Sequence, residues 1–243
     1  MYTININWEL TSKKFLLLTI ISHLSVLYVL IAGSFLQFAS SLLVAFLLIL
    51  FSSVPVYHRF LSHRSWKCPR WYELVASFLG IFTFTGSTIS RTAVHRQHHA
   101  YVDTERDPHS PFFLPWWKIY FPFFNKVKVQ SSLAKELIKD PIHRFIHKYY
   151  LLIAIIVFLL LTIVVSPIWA ITLVVAPGAF CWANVCILNI FGHQYKGGSN
   201  NKFLSLITLG EGNHKNHHTT PTESNTGGNN FDLSYRIILF FKK

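Results

Sequence analysis

Eight histidines fall into three short boxes: His58-Arg-Phe-Leu-Ser-His63, His95-Arg-Gln-His98-His99 and His214-Lys-Asn-His217-His218. Neutral imidazole is a donor for transition metals, iron among them. His95, His98 and His99 stand at i, i+3, i+4. On a helix those positions share a face, so His95 is expected to cooperate with both others. His214, His217 and His218 repeat the spacing. His58 and His63 are five apart, which suits a helix end where the backbone turns. Asn189 and His193 form a further i, i+4 pair. Nine imidazoles and one amide are enough for two metal ions with an open coordination position. Thiolates would be oxidised at a centre that activates oxygen, whereas imidazoles survive and add no negative charge. Each ring needs a partner for its second nitrogen. Asp103, Glu105, Asp107 and Glu211 lie close enough in sequence to serve, or else to sit as solvated surface charges.

The elements that must position these rings are apolar. The chain has 243 residues, 51% hydrophobic and 13% charged, with a mean hydropathy of +0.37. That excludes an ordinary soluble domain. No Asp, Glu, Lys or Arg occurs in the 43 residues from Phe15 to Tyr57, or in the 47 from Tyr149 to Tyr195. A span needs about 20 apolar residues, so each stretch predicts a helical hairpin. The first breaks near Gly33-Ser34 or Ser40-Ser41 and the second at Ser166-Pro167. The expected spans are 15–36, 40–57, 149–166 and 170–192. Neither hairpin tip carries Lys or Arg, which places both termini and the polar body in the cytoplasm. The net charge of +12 then reads as a positive-inside signal with attraction to anionic headgroups. No nucleic-acid motif accompanies it. The N-terminal apolar stretch is too long for a cleaved leader. The three cysteines, Cys68, Cys181 and Cys186, imply neither a disulfide framework nor a thiolate site.

Residues 73–89 test this topology. If that nearly apolar segment crossed the bilayer, the first and second boxes would lie on opposite faces and could not share a site. It is therefore expected to be one interfacial helix over about 71–92. The fold class is then an all-α integral membrane protein of four spans in two hairpins. A cytoplasmic helical cap, 58–148 and 193–243, holds the histidines within a single domain, 1–243.

The stretches HRFLSHRSWKCPRW (58–71), HRQHHAYVDTERDPHSP (95–111), NIFGH (189–193) and GEGNHKNHHTTP (210–221) resemble those of membrane fatty acid desaturases of the acyl-CoA/acyl-lipid delta-9, stearoyl-CoA desaturase-like type. The resemblance implies two iron ions ligated by His58, His63, His95, His98, His99, His193, His214, His217 and His218. It also implies a water held by Asn189, with Asp103, Asp107 and Glu211 behind the ligands. The implied reaction uses O2 and two electrons to place a cis double bond in a long-chain acyl-CoA or acyl-lipid. No protein nucleophile is required. No His-Pro-Gly-Gly haem motif occurs, so electrons are expected from a separate cytochrome b5 or ferredoxin type carrier. The implied location is the inner or plasma membrane of a bacterium, or the endoplasmic reticulum of a eukaryote.

The chain departs from the pattern at Asn213 and Lys215, which flank the first histidine of the third box. It departs again at Gly227-Gly228-Asn229-Asn230, and it ends 25 residues after His218. These departures motivate a decayed desaturase as one alternative; a di-iron lipid hydroxylase, in which oxygen rebound competes with loss of the second hydrogen, and a non-catalytic metal-binding membrane protein are two others. Several residues are not assigned to the centre. His23 is read as a neutral group bonded to a neighbouring helix, and His143 and His147 as part of a headgroup-level helix start. His109 is read as structural or substrate-facing, and Trp116 and Trp117 as interfacial aromatics. Arg91, Arg96, Lys118 and Lys126 are unranked candidates for an acyl-CoA phosphate.

Overall fold

A computed structural model describes residues 12–125 and 127–242. Those residues form helices and no strands; the one β-type contact is an isolated bridge between Asn200 and Asn213. Four long helical stretches are apolar enough to cross a membrane: Lys13–Ala32, Phe35–Ser62, Pro141–Val164 and Pro167–Phe191. The first is α1, capped by Ser12, whose hydroxyl accepts from Phe15 N–H. The second begins as α2 (Phe35–Leu48) and runs on into a π-helical segment, Ile49–Ser62.

The hairpin tip falls at Gly33–Ser34. There Ser34 and Gln37 make a reciprocal capping box that satisfies two otherwise orphaned N–H groups. The alternative break at Ser40–Ser41 is not used, because Ser41 is buried and bonds to the carbonyls of Gln37 and Thr172. Span two is accordingly longer than its uncharged stretch, and it carries His58 within the helix. Pro55 lacks an N–H to donate to the carbonyl one turn back. Tyr72 Oη supplies that bond to Phe51 O at 2.7 Å.

Arg70–Leu79 (α3) and Thr88–Ala100 (α4) replace the single interfacial helix expected over 71–92. They are bent by 83° across a short break. Phe84, at the break, is left-handed with φ 52°, and Ser87 caps α4. The bend returns the second box to the first box, so this segment does not carry them to opposite faces.

A short helix, Trp116–Tyr120 (α5), and another, Lys135–Lys139 (α6), lie in the connection. Span three is α7 (Pro141–Val164). The helix starts eight residues before the uncharged stretch, because Asp140 caps it by accepting from Ile142 and His143 N–H, and Pro141 suits the first helical position. His143 and His147 thus sit inside its first turns. Ser166 caps the last hairpin arm at the tip read from sequence. Pro167–Ala170 (α8) passes through a π-helical turn into Ala176–Phe191 (α9). Three helices complete the chain: Lys202–Ile207 (α10), His214–Thr219 (α11) and Leu233–Phe241 (α12).

The cap packs around Val56, Tyr57, Leu61, Tyr72, Ile89, Ala93, Leu137 and Ile238, which joins the π-helical segment to α3, α4, α6 and α12. Buried polar ties lock the cap to span three. His143 Nε2 meets Glu73 Oε1 at 3.0 Å, its Nδ1 meets Thr88 Oγ1 at 3.1 Å, and His147 Nδ1 meets Ser87 Oγ at 2.7 Å.

Candidate metal centre

The π-helical segment places the first box. Its five-residue hydrogen-bond step brings positions i and i+5 onto one face, and the His58 and His63 ring centroids are 5.1 Å apart. His63 ends the helix, and Arg64 follows at φ 54°. The second box lies on the last turns of α4, and the third forms α11. His193 follows α9 directly.

These nine side chains converge as two groups. His58, His63, His95, His99 and His217 form one; His98, His193, His214 and His218 form the other. Within each, one nitrogen per ring lies within 4.8 Å of all the rest. The pairing corrects the simple one-face expectation. His95 cooperates with His99 but not with His98, and His214 with His218 but not with His217. Residues four apart differ by about 40° around a helix, whereas His98 and His99, as neighbours, diverge by about 100°.

The donors are Nε2 atoms facing one another. Separations are 3.0 Å for His58–His217, 2.7 Å for His63–His95 and 2.9 Å for His99–His217. In the second group they are 3.0 Å for His193–His214, 3.2 Å for His98–His218 and 3.2 Å for His214–His218. Two imidazoles bound at about 2.1 Å to one ion and at a right angle would stand about 3 Å apart. Bare lone pairs this close repel, so the arrangement suits a cation between them.

Burial strips these rings of protons. Desolvation, reinforced by neighbouring imidazoles, drives His95, His98, His99, His214 and His217 far below the ordinary histidine value. His63 and His218 fall to about 2. These seven rings are therefore neutral, as metal donors must be.

Three carboxylates hold ring nitrogens on the far side. His98 Nδ1 meets Asp107 Oδ1 at 2.8 Å, both fully buried. His193 Nδ1 meets Asp103 at 3.2 Å, and His58 Nδ1 meets Glu211. Asp107 is itself fixed by the N–H groups of Asp103 and His109, and Asp103 by Gly197 N–H. Burial pushes the Glu211 carboxyl up, but the charges of His58 and Arg59 outweigh it and hold it at about 2. Glu105 is exposed. Asn189 is buried one turn before His193.

Sequence reading overlooked Arg59. Fully buried beside His58, it donates to Glu211 Oε1 at 2.7 and 3.0 Å, to Ser224 O and Thr226 Oγ1, and to Asp232 at 3.0 Å. Its place inside the first box was the only local signal, since Asp232 lies 173 residues away. Of the unassigned residues, His23 bonds to Thr19 O and to Tyr120 Oη at 2.6 Å. His109 is buried with neither ring nitrogen partnered among the described residues. Arg96 is committed to the carbonyls of Leu61, Ser62 and Leu133 and to Glu136. Arg91 is half-buried on α4, and burial lowers its guanidinium to about 10. Lys126 lies outside the described residues.

A helical bundle of membrane-span length, capped by two histidine groups that could hold metal ions with carboxylates behind them, defines a class of membrane protein with a candidate metal centre. The family model for fatty acid desaturases matches residues 33–224, and the chain belongs to that family of oxidoreductases acting on acyl chains. It is 31% identical over 204 residues to the sn-2 palmitoyl-lipid 9-desaturase of Nostoc sp. (strain 36), covering 76% of this chain and 71% of that protein. It is 30% identical to the probable lipid desaturase ADS3.2, chloroplastic, of Arabidopsis thaliana, covering 76% and 56%. It is 28% identical to the acyl-CoA 5-desaturase AL21 of Anemone leveillei, covering 69% and 56%. The chain thus spans little more than half the length of the last two.

Proposed function

We propose that this protein is an O2-dependent fatty acyl desaturase that introduces a cis double bond, at the delta-9 position, into a saturated acyl chain. The single observation that carries the reading is the pair of histidine groups, five and four rings, whose Nε2 atoms converge at ligand spacing. The donor set fits iron: imidazoles with no thiolate, in two compact and mostly buried groups. His58, His63, His95, His99 and His217 would hold one ion, and His98, His193, His214 and His218 the other. Bound iron would supply the oxidising power that couples O2 reduction to removal of two hydrogens from the acyl chain.

The chain's own residues do the rest. Asp107, Asp103 and Glu211 accept the Nδ1 protons of His98, His193 and His58, which fixes each ring's tautomer and aims Nε2 inward. Four rings in the second group leave room for a further ligand, and the buried Asn189 amide is assigned to hold a water there. Overall, O2, two electrons from an external cytochrome b5 or ferredoxin type carrier, two protons and the acyl chain give an alkene and two waters. The active site is placed on the cytoplasmic side of a multi-pass membrane protein that acts as one domain. The delta-9 position follows the naming of relatives such as the Nostoc protein. The acyl-CoA 5-desaturase marks position and carrier as properties that vary among relatives.

The test is expression in a host that cannot make unsaturated fatty acids, beside a His98→Ala control. Lipids are analysed by gas chromatography–mass spectrometry with double-bond mapping. New cis-monoenes in the wild type alone support the reading. Hydroxylated acyl chains would replace it with a hydroxylase. No product from iron-loaded protein supplied with a donor would refute it.

A further inference from the structure

Residues 112–124 form an aromatic segment, α5 and the 3-10 turn Pro122–Phe124 that follows it, outside the metal centre. Phe112, Phe113, Trp116, Trp117 and Phe124 are all exposed, with Trp116 at 63%. Exposed apolar surface of this kind marks an interaction site. The segment is fastened to the span helices through Tyr120. Tyr120 Oη bonds to His23 Nε2 on α1, and Tyr120 O accepts from Trp182 Nε1 on α9 at 2.9 Å.

Those two anchors fix its height. Trp182 stands nine residues before the end of α9, about 13 Å along the helix from Phe191 at about 1.5 Å per residue. The outward apolar face of α1 is established at Leu17, which is 57% exposed. His23 lies six residues further along, about 9 Å deeper by the same rise. Interfacial elements bury about 5–10 Å into the headgroup and acyl boundary. Both anchors lie inside span helices, so the Tyr120 end of the segment sits beside the bundle, where exposed rings would meet acyl chains.

Charge agrees with that placement. Lys118 lies over the Trp117 ring at 5.3 Å, a position from which its long stem lets the ammonium reach the headgroups. Lys118, Lys128 and Arg106, with Glu105 as the one acidic side chain, border a cavity of about 660 Å³ beside this segment, with Leu114 and Phe124 on its apolar side. Gln97, between the histidines of the second box, lines the same cavity.

We infer that residues 112–124 are a membrane-seated platform whose partner is the lipid bilayer, with aromatic rings in the acyl region and Lys118 among anionic headgroups. This deepens the desaturase reading by naming the bilayer as the surface beside the second box, but its test does not depend on iron or turnover.

The experiment is nitroxide depth measurement on full-length protein in vesicles of phosphatidylcholine and phosphatidylglycerol, three to one. Single labels are placed at Phe113→Cys and Trp116→Cys in a Cys68→Ser background. Leu24→Cys serves as the bilayer control and Lys215→Cys as the aqueous control. The ratio of O2 to nickel-chelate accessibility is expected to match the Leu24 label and to exceed the Lys215 label several-fold. A ratio equal to that of Lys215 would overturn the proposal. So would exclusion of both reagents, which would assign this face to a second copy of the chain. Where labelled variants fail to fold, the Trp116→Phe/Trp117→Phe double variant is used. It should lose a measurable share of the tryptophan emission quenched by brominated phosphatidylcholine, and unchanged quenching would overturn the proposal.

Discussion

His98 and His217 hold exchanged positions. Each leaves the i, i+4 pair of its own box and joins the pair of the other: His217 sits with His95 and His99, and His98 with His214 and His218. The second and third boxes are thereby interlocked, and neither group is complete without both.

That exchange predicts different losses from equivalent mutations. His98→Ala leaves three rings in a four-ring group, whereas His217→Ala leaves four in a five-ring group. Iron content measured by mass spectrometry on purified protein should fall from about two toward about one per chain in His98→Ala, and less in His217→Ala. Equal retention in both variants would contradict the grouping.

Asp107→Asn should weaken metal binding while leaving the ligands in place. The carboxylate is fully buried against His98 Nδ1, and loss of such a partner costs about 10–100-fold in metal affinity. Competition against a chelator of known affinity measures it. An unchanged affinity would show that His98 needs no fixed tautomer.

Arg59→Met should be strongly destabilising. It strips Glu211 and Asp232 of their buried cation, and breaking a buried pair on one side costs about 3–5 kcal/mol. Arg59→Lys should recover only part, since an ammonium cannot reproduce the fork that spans Glu211, Thr226 and Asp232. Chemical denaturation in detergent, run on metal-free protein, separates this effect from metal loss.

Acid should destabilise the metal-free protein. The buried rings are neutral when folded, with His63 and His218 at about 2, but bind protons below about pH 6.5 when unfolded. The unfolded chain therefore holds more protons, and stability falls as pH drops. The loss begins near 6.5 and continues toward about 2, with a slope of up to about 1.4 kcal/mol per pH unit for each such ring. Thermal midpoints at successively lower pH should decline, and a flat profile would contradict neutral burial.

Gly192→Ala should disturb the second histidine group. An added Cβ would stand 2.9 Å from His214 Cδ2 and 2.5 Å from Leu188 O. Crowding of this kind costs about 1–3 kcal/mol, and here it pushes directly on a proposed ligand. Metal content should drop more than the thermal midpoint suggests. Retained metal with a lowered midpoint would mean the ring gives way freely.

The sequence by itself determined the local features. The two uncharged stretches specify the helical hairpins, because a bilayer-length apolar run has few other stable states. Ser166-Pro167 specifies a hairpin tip, because its cap and its missing N–H act within a few residues. The i, i+4 spacing of His95 and His99 specifies a shared face, because helix geometry is covalent in origin. Tertiary structure decided what depends on two helices meeting. Which group His98 enters follows from how α4 is rotated against α11, and the 83° turn between α3 and α4 rests on Phe84 and the contacts around it. The start of the α7 helix at Pro141 depends on Asp140, which caps it, and on the buried bonds of His143 to Glu73 and Thr88. Arg59 is hidden in the first box because its charge is answered by Glu211 and Asp232, more than 150 residues away. No local pattern encodes such a pairing, since it exists only when packing removes water from both partners at once.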